Sequence, residues 1–171
     1  MEEVYEQLAK RNGWSYSFEG NRPYFMKKEG GYAVPDETTS EEDKQLLAAI
    51  ISEGSSEMAQ LILLCWDNGI IISGPCSGIR EYHDEPPFSL HFAFIASKDF
   101  IDPLYNSLKD TFPTFDHMYR DKHNLIRYDI SYVLKDKELS KEDSDKIFSI
   151  MREQVQSQLG SLEENKHQQL S

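Results

Sequence analysis

The sequence predicts an α+β fold whose sheet is antiparallel or mixed, with additional helices at the N-terminal end. Three observations carry this. Apolar residues recur at helical spacing around Leu46–Cys65, Phe100–Leu108 and Ile147–Val155. Between these stretches lie strand-like runs: Ile70-Ile71-Ile72, Phe88 to Ala96, and Ile126, Tyr128, Ile130, Tyr132 and Leu134 in strict alternation. The later order therefore reads strand, strand, helix, strand, strand, helix, and hairpins with helices on one face form an α+β layer fold.

Taken in order, residues 3–11 read as a short helix carrying Val4 and Leu8 on one face, ended by Asn12-Gly13. Trp14, Tyr16 and Phe18 alternate as in a short strand, and Gly30-Gly31 and Pro35-Asp36 interrupt anything longer. Ser40 is a good N-cap for a helix whose first turn is Glu41-Glu42-Asp43. A third helix, about 56–68, has Met58, Leu61, Ile62, Leu64 and Cys65 over more than half its circumference and should be the central buried one. Residues 70–74 read as a buried strand and Pro75 to Pro87 as a loop. Phe88 to Ala96 is apolar on both faces apart from Ser89 and His91, as suits a central strand. Ser97 is placed to cap a helix over 99–110, which Pro113 ends. A hairpin follows, turning near Asp121–Asn124, with Arg127, Asp129 and Ser131 on its watery face. The last helix opens at Ser140. Residues 1–160 read as one domain, and 161–171 as a polar, frayed tail.

The charge is the strongest compositional signal. Against 18 Lys and Arg stand 30 Asp and Glu, a formal net charge of −12 over 171 residues. Direct binding of DNA or RNA is disfavoured, because that affinity comes from Lys and Arg neutralising phosphates. The surplus either keeps the protein soluble or faces a basic protein surface. No apolar run approaches the ~20 residues that cross a bilayer, and the acidic N-terminus lacks a secretory apolar region. Cys65 and Cys76 are too few for a disulfide scaffold, and reduced thiols of a cytoplasmic protein are the simplest account.

Candidate chemistry concentrates before the second strand of the later sheet. His83, Asp84 and Glu85, with His91 further on, make an inventory that could hold a divalent metal or move protons in phosphoester hydrolysis. Their spacing matches no metal motif, and an acidic loop between strands is ordinary solvated sequence. Cys76, in Pro75-Cys76-Ser77-Gly78, could be a nucleophile if a base such as His83 or His91 lowered its pKa; a half-buried turn residue is the plainer reading. His117, His123 and His167 are scattered without metal-ligand spacing. The aromatic residues at 14, 16, 18, 24 and 25 form either a satellite core or the lining of a pocket or interface. No cofactor motif is present.

Residues Leu61 to Ala96, through Cys65, Gly69, Ile70, Cys76 and Gly78, resemble a pattern in small proteins of Gram-positive bacteria and their phages. There a helix ending Cys-x-x-x-Gly-Ile leads through a strand to Cys-x-Gly-His. Here the His is replaced by Ile79, so any site that His serves is not carried over. Some small acidic phage proteins of this kind are similar to anti-CRISPR proteins. That resemblance implies an inhibitor that occupies the basic nucleic-acid cleft of a CRISPR effector nuclease. The expected contacts are Glu81, Asp84 and Glu85, with Glu41, Glu42 and Asp43 as a second patch. The alternative is a metal-assisted phosphoester hydrolase using His83, Asp84, Glu85 and His91. A structural subunit of a larger complex is a third reading, and the oligomeric state is left open.

Overall fold

A computed structural model describes residues 1–79, 88–134 and 139–170. The described chain runs α1 (Glu2–Asn12), β1 (Trp14–Glu19), β2 (Arg22–Lys27), α2 (Glu41–Ile51), α3 (Ser56–Asp67), β3 (Ile71–Ser77), β4 (Phe88–Ala96), α4 (Lys98–Thr111), β5 (Asp116–Lys122), β6 (Leu125–Leu134) and α5 (Lys141–Leu170). The fold is α+β, with an antiparallel four-stranded sheet in the order β3-β4-β6-β5 and a separate β1–β2 hairpin.

The hydrophobic pattern explains the layering. Leu90, Phe92 and Phe94 alternate on β4 and pair across to Tyr132, Ile130 and Tyr128 on β6. Strand period two sends all six to one face. There Phe100, Ile101, Leu104 and Leu108 of α4 join them in one core with Met58, Leu61, Ile62 and Cys65 of α3, and Phe148, Met151 and Val155 of α5. The apolar second face of β4 fits its central position between β3 and β6. Within this core α3 packs on α5, so its broad apolar surface is buried as its sequence requires.

A smaller core holds Leu8, Ala9, Phe25, Ala33 and Leu47, with Tyr5, Trp14 and Tyr16 packed around it. Ile51 and Trp66 pack against both cores and join them. The early aromatic residues are thus partly a satellite core. Phe25 is buried, whereas Phe18 is 44% exposed.

Helix ends follow their local chemistry. Gly13 closes α1 at φ 67, a left-handed conformation that glycine adopts without steric cost, and its N–H meets Ala9 and Lys10 carbonyls. The Ser40 and Ser55 hydroxyls accept from the N–H groups of Asp43 and Met58, both at 3.1 Å. Ser97 occupies the N-cap position of α4, but its hydroxyl makes no cap bond.

Four sequence expectations change. Residues 22–27 pair with β1 as a second arm, despite Pro23 near the start. That position suits proline, because an edge strand has one unpaired side. β3 continues through Pro75 to Ser77 instead of giving way to a loop at Pro75, and a bulge between Ser73 and Cys76 absorbs the irregularity. The β5–β6 turn falls where expected, but β5 runs on to Lys122, so the turn narrows to His123 and Asn124, both at positive φ. Helix α5 runs to Leu170 rather than ending near Gly160. Leu159 and Leu162 still pack on the main core there, and one helical glycine costs only about 1 kcal/mol relative to alanine. Among the described residues no helix is long and apolar enough to cross a membrane.

Candidate functional site

The most densely bonded polar group lies where the hairpin, the end of α2 and β3 meet. It begins with Glu53, just beyond α2, held at φ 53 and 1% exposed. One carboxylate oxygen takes the N–H and hydroxyl of Ser77 at 2.9 and 2.8 Å. The other meets Arg22 Nε at 3.1 Å. Arg22, at the start of β2, also donates to Cys76 Sγ at 3.1 Å and to the Pro75 carbonyl at 2.5 Å. Ser77 returns its carbonyl to the Ser144 hydroxyl on α5 at 2.9 Å. A buried carboxylate is tolerable only when paired, and Glu53 is paired with the half-buried Arg22 guanidinium while its other oxygen is bonded to Ser77.

The second polar group lies on the sheet face turned away from the helices. Cys76 and His91 are cross-strand partners. His91 Nδ1 lies 2.6 Å from the Gly74 carbonyl, and Nε2 lies 3.0 Å from Asp129 Oδ1. Both neighbours are acceptors, so a neutral ring, with one N–H, can donate to only one of them. Asp129 takes two further bonds from Arg127, both at 2.9 Å, and Arg120 stands 3.8 Å away. Burial opposes the charge on Asp129, but the bonds from Arg127 and His91 outweigh it and hold the carboxyl below the usual range.

The nucleophile reading of Cys76 finds no support in this geometry. Burial pushes its thiol up, and the opposing attraction of Arg22 does not restore it. Cys65 is fully buried, and burial pushes its thiol up as well. His91 cannot be a free metal ligand while Gly74 and Asp129 occupy its two nitrogens. Among the described residues no group of three or more His, Cys, Asp or Glu could hold a metal ion. His117 is likewise structural, lying 2.6 Å from the Tyr128 hydroxyl and 2.7 Å from the Phe112 carbonyl. Glu81, His83, Asp84 and Glu85 lie outside the described residues.

No family model, curated protein or solved structure matches this chain. The site is therefore read from its own residues.

Of the expected acidic patch on α2, Glu41 and Glu42 are exposed. Asp43 is a correction. It is 6% exposed and accepts from Arg11 at 2.7 and 3.2 Å and from Asn12 at 2.9 Å, so its charge joins α1 to α2 instead of facing a partner. The Arg11 bonds, against a smaller opposing effect of burial, hold its carboxyl low. Asp43 recurs in a wider pattern. All five described arginines lie near a carboxylate: Arg11 with Asp43 at 2.7 Å, Arg22 with Glu53 at 3.1 Å, Arg120 and Arg127 with Asp129 at 3.8 and 2.9 Å, and Arg152 with Glu57 at 3.0 Å. By contrast Glu2, Glu3, Glu6, Glu42, Glu142, Asp143, Glu163 and Glu164 are exposed and form no ion pair among the described residues. Sequence reading does not find the Arg22–Glu53 seam or the His91–Asp129 pair, because the members of each are far apart in the chain. The one local signal was Glu53-Gly54, a pair suited to a left-handed helix end.

These two aspartates set an acid limit. Their pKa values are depressed in the fold, so their stabilisation is complete above the unfolded value of about 4 and is lost as pH falls through the lower folded values. Thermal melts from pH 6 downward should show Tm falling below about pH 4. Asp43→Asn should flatten that fall, while costing about 1–3 kcal/mol at neutral pH through its lost charged bonds. An equally steep acid fall in Asp43→Asn and Asp129→Asn would refute the assignment.

Proposed function

We propose that the protein is a small acidic interaction protein that occupies a basic nucleic-acid-binding cleft of a partner enzyme. The observation that carries this reading is the disposition of charge. The described guanidiniums, the natural phosphate ligands, are each met by an internal carboxylate, and exposed helix carboxylates such as Glu42, Glu142 and Asp143 form no ion pair among the described residues, while Glu41 lies 3.9 Å from Lys44. Such a surface repels phosphate and attracts clusters of Arg and Lys built to receive it. An RNA-guided nuclease is the enzyme class to which the resemblance of residues 61–96 points, and its heteroduplex channel is positively charged. Charge complementarity would speed encounter and exclude the nucleic acid by competition.

The test is competition on a guide-loaded CRISPR nuclease. The protein should displace labelled target duplex at low salt, and the double variant Glu41→Lys, Glu42→Lys should require about tenfold more protein, since each exposed pair contributes up to ~1 kcal/mol. Absence of displacement, or equal displacement by an unrelated protein of the same net charge, would reject the reading.

A further inference from the structure

We propose that the cavity between β2 and the edge strand β3 binds a small planar group bearing a carbonyl-type oxygen, the head of a carboxylate or amide ligand, with the Trp66 indole N–H as its donor. This is independent of the acidic-surface reading. The cavity measures about 50 Å³ and is lined in part by Arg22, Tyr24, Tyr32, Leu47, Trp66 and Gly74. It sits at the junction that Ile51 and Trp66 make between the two cores.

Trp66 Nε1 is buried and has no hydrogen-bond partner among the described residues. Indole nitrogen only donates, so the group that satisfies it must be an acceptor. A buried donor left without one is costly and rare in folded proteins. Arg22 adds further donors on the same wall. Cys76 and the Pro75 carbonyl accept two of the five N–H bonds a guanidinium carries, and Glu53 stands 3.1 Å from its Nε as an ion pair. Its charge is already met by Glu53, which suits an amide as well as a carboxylate.

The remaining wall favours a flat ligand. The Tyr24 and Tyr32 rings lie 6.2 Å apart at 26°. Tyr24 is fixed by its hydroxyl bond to Glu19 and by the Arg22 guanidinium 5.1 Å from its ring centre. Size sets the limit: a cavity of roughly 150 Å³ encloses benzene. This one therefore encloses a head of a few atoms, and the rest of the ligand would lie at the mouth beside Tyr32, which is 49% exposed. Water is the competing occupant.

The chain has two tryptophans, Trp14 and Trp66, so nitrogen-15 labelled protein gives two indole N–H signals, assigned with Trp14→Phe. The full chain is titrated with acetate, acetamide, benzoate and benzamide. A saturable shift of the Trp66 signal is expected at millimolar concentrations, as suits so few atoms. The Trp14 signal should stay unmoved, and Tyr32→Ala should weaken the binding severalfold. The stronger pair, acids or amides, identifies the head group. No saturable shift with any of the four, or a Trp66 N–H whose contact with water persists unchanged in their presence, would overturn the proposal and leave water as the occupant.

Discussion

Glu53→Ala is expected to lower the unfolding free energy by about 3–5 kcal/mol, the cost of breaking one side of a buried ion pair. The carboxylate meets Arg22 and Ser77 from β2 and β3, so its removal strands a half-buried guanidinium and the Ser77 N–H together. Two companion variants separate the causes. Glu53→Gly makes the same deletion but relieves the positive φ, and should be about 1 kcal/mol less destabilising than alanine. Arg22→Met with Glu53→Leu removes both charges, and should recover much of the loss, because apolar replacement of a whole buried pair is often neutral. Urea denaturation read as the midpoint shift at constant slope measures all three. A Glu53→Ala variant within 1 kcal/mol of the wild type would show that the seam is not a structural tie.

Phe92→Ala should cost a comparable amount, about 3–5 kcal/mol, by opening a cavity at the centre of the main core. Phe92 is fully buried on the central strand β4, with ring centres 4.9 Å from Phe94 and 6.1 Å from Phe148 on α5. Its loss removes contacts between the sheet and α5 that no neighbouring side chain can restore without moving the backbone. At 2–4 °C per kcal/mol for a chain of this size, Tm should fall by roughly 6–20 °C in calorimetry. The exposed Phe18→Ala, on the hairpin, should stay within about 0.5 kcal/mol of wild type. Similar losses for both would mean that the hairpin, not the main sheet, limits stability.

The fold class and most elements were legible because they rest on local periodicity. The alternating Ile126 to Leu134 run and the apolar stripe of α4 each specify one element without reference to the rest of the chain. β2 was not legible, since Arg22-Pro23 reads as a breaker until β1 is known to lie beside it. Nor was the extension of β3 past Pro75, which depends on a bulge and on its edge position. The candidate site was hidden for a deeper reason. Arg22 and Glu53, or His91 and Asp129, are ordinary polar residues until folding brings them to 3.1 and 3.0 Å. The alternation of β6 puts Asp129 on the face away from the core, where it lies, yet it is 8% exposed because Arg127 and His91 enclose it. Asp43 deceived in the opposite way. An acidic first turn reads as a solvated patch, and only the packing of α1 brings Arg11 over it.

The proposed function depends on exposed helix carboxylates, Glu42 among them, that form no ion pair among the described residues. Its most direct measurement is the association rate with a guide-loaded nuclease across a salt series. The rate should fall steeply as salt rises, with dissociation changing far less, and the slope should be shallower for Glu41→Lys, Glu42→Lys. A rate indifferent to salt would contradict it, because exposed carboxylates could not then be what the partner meets.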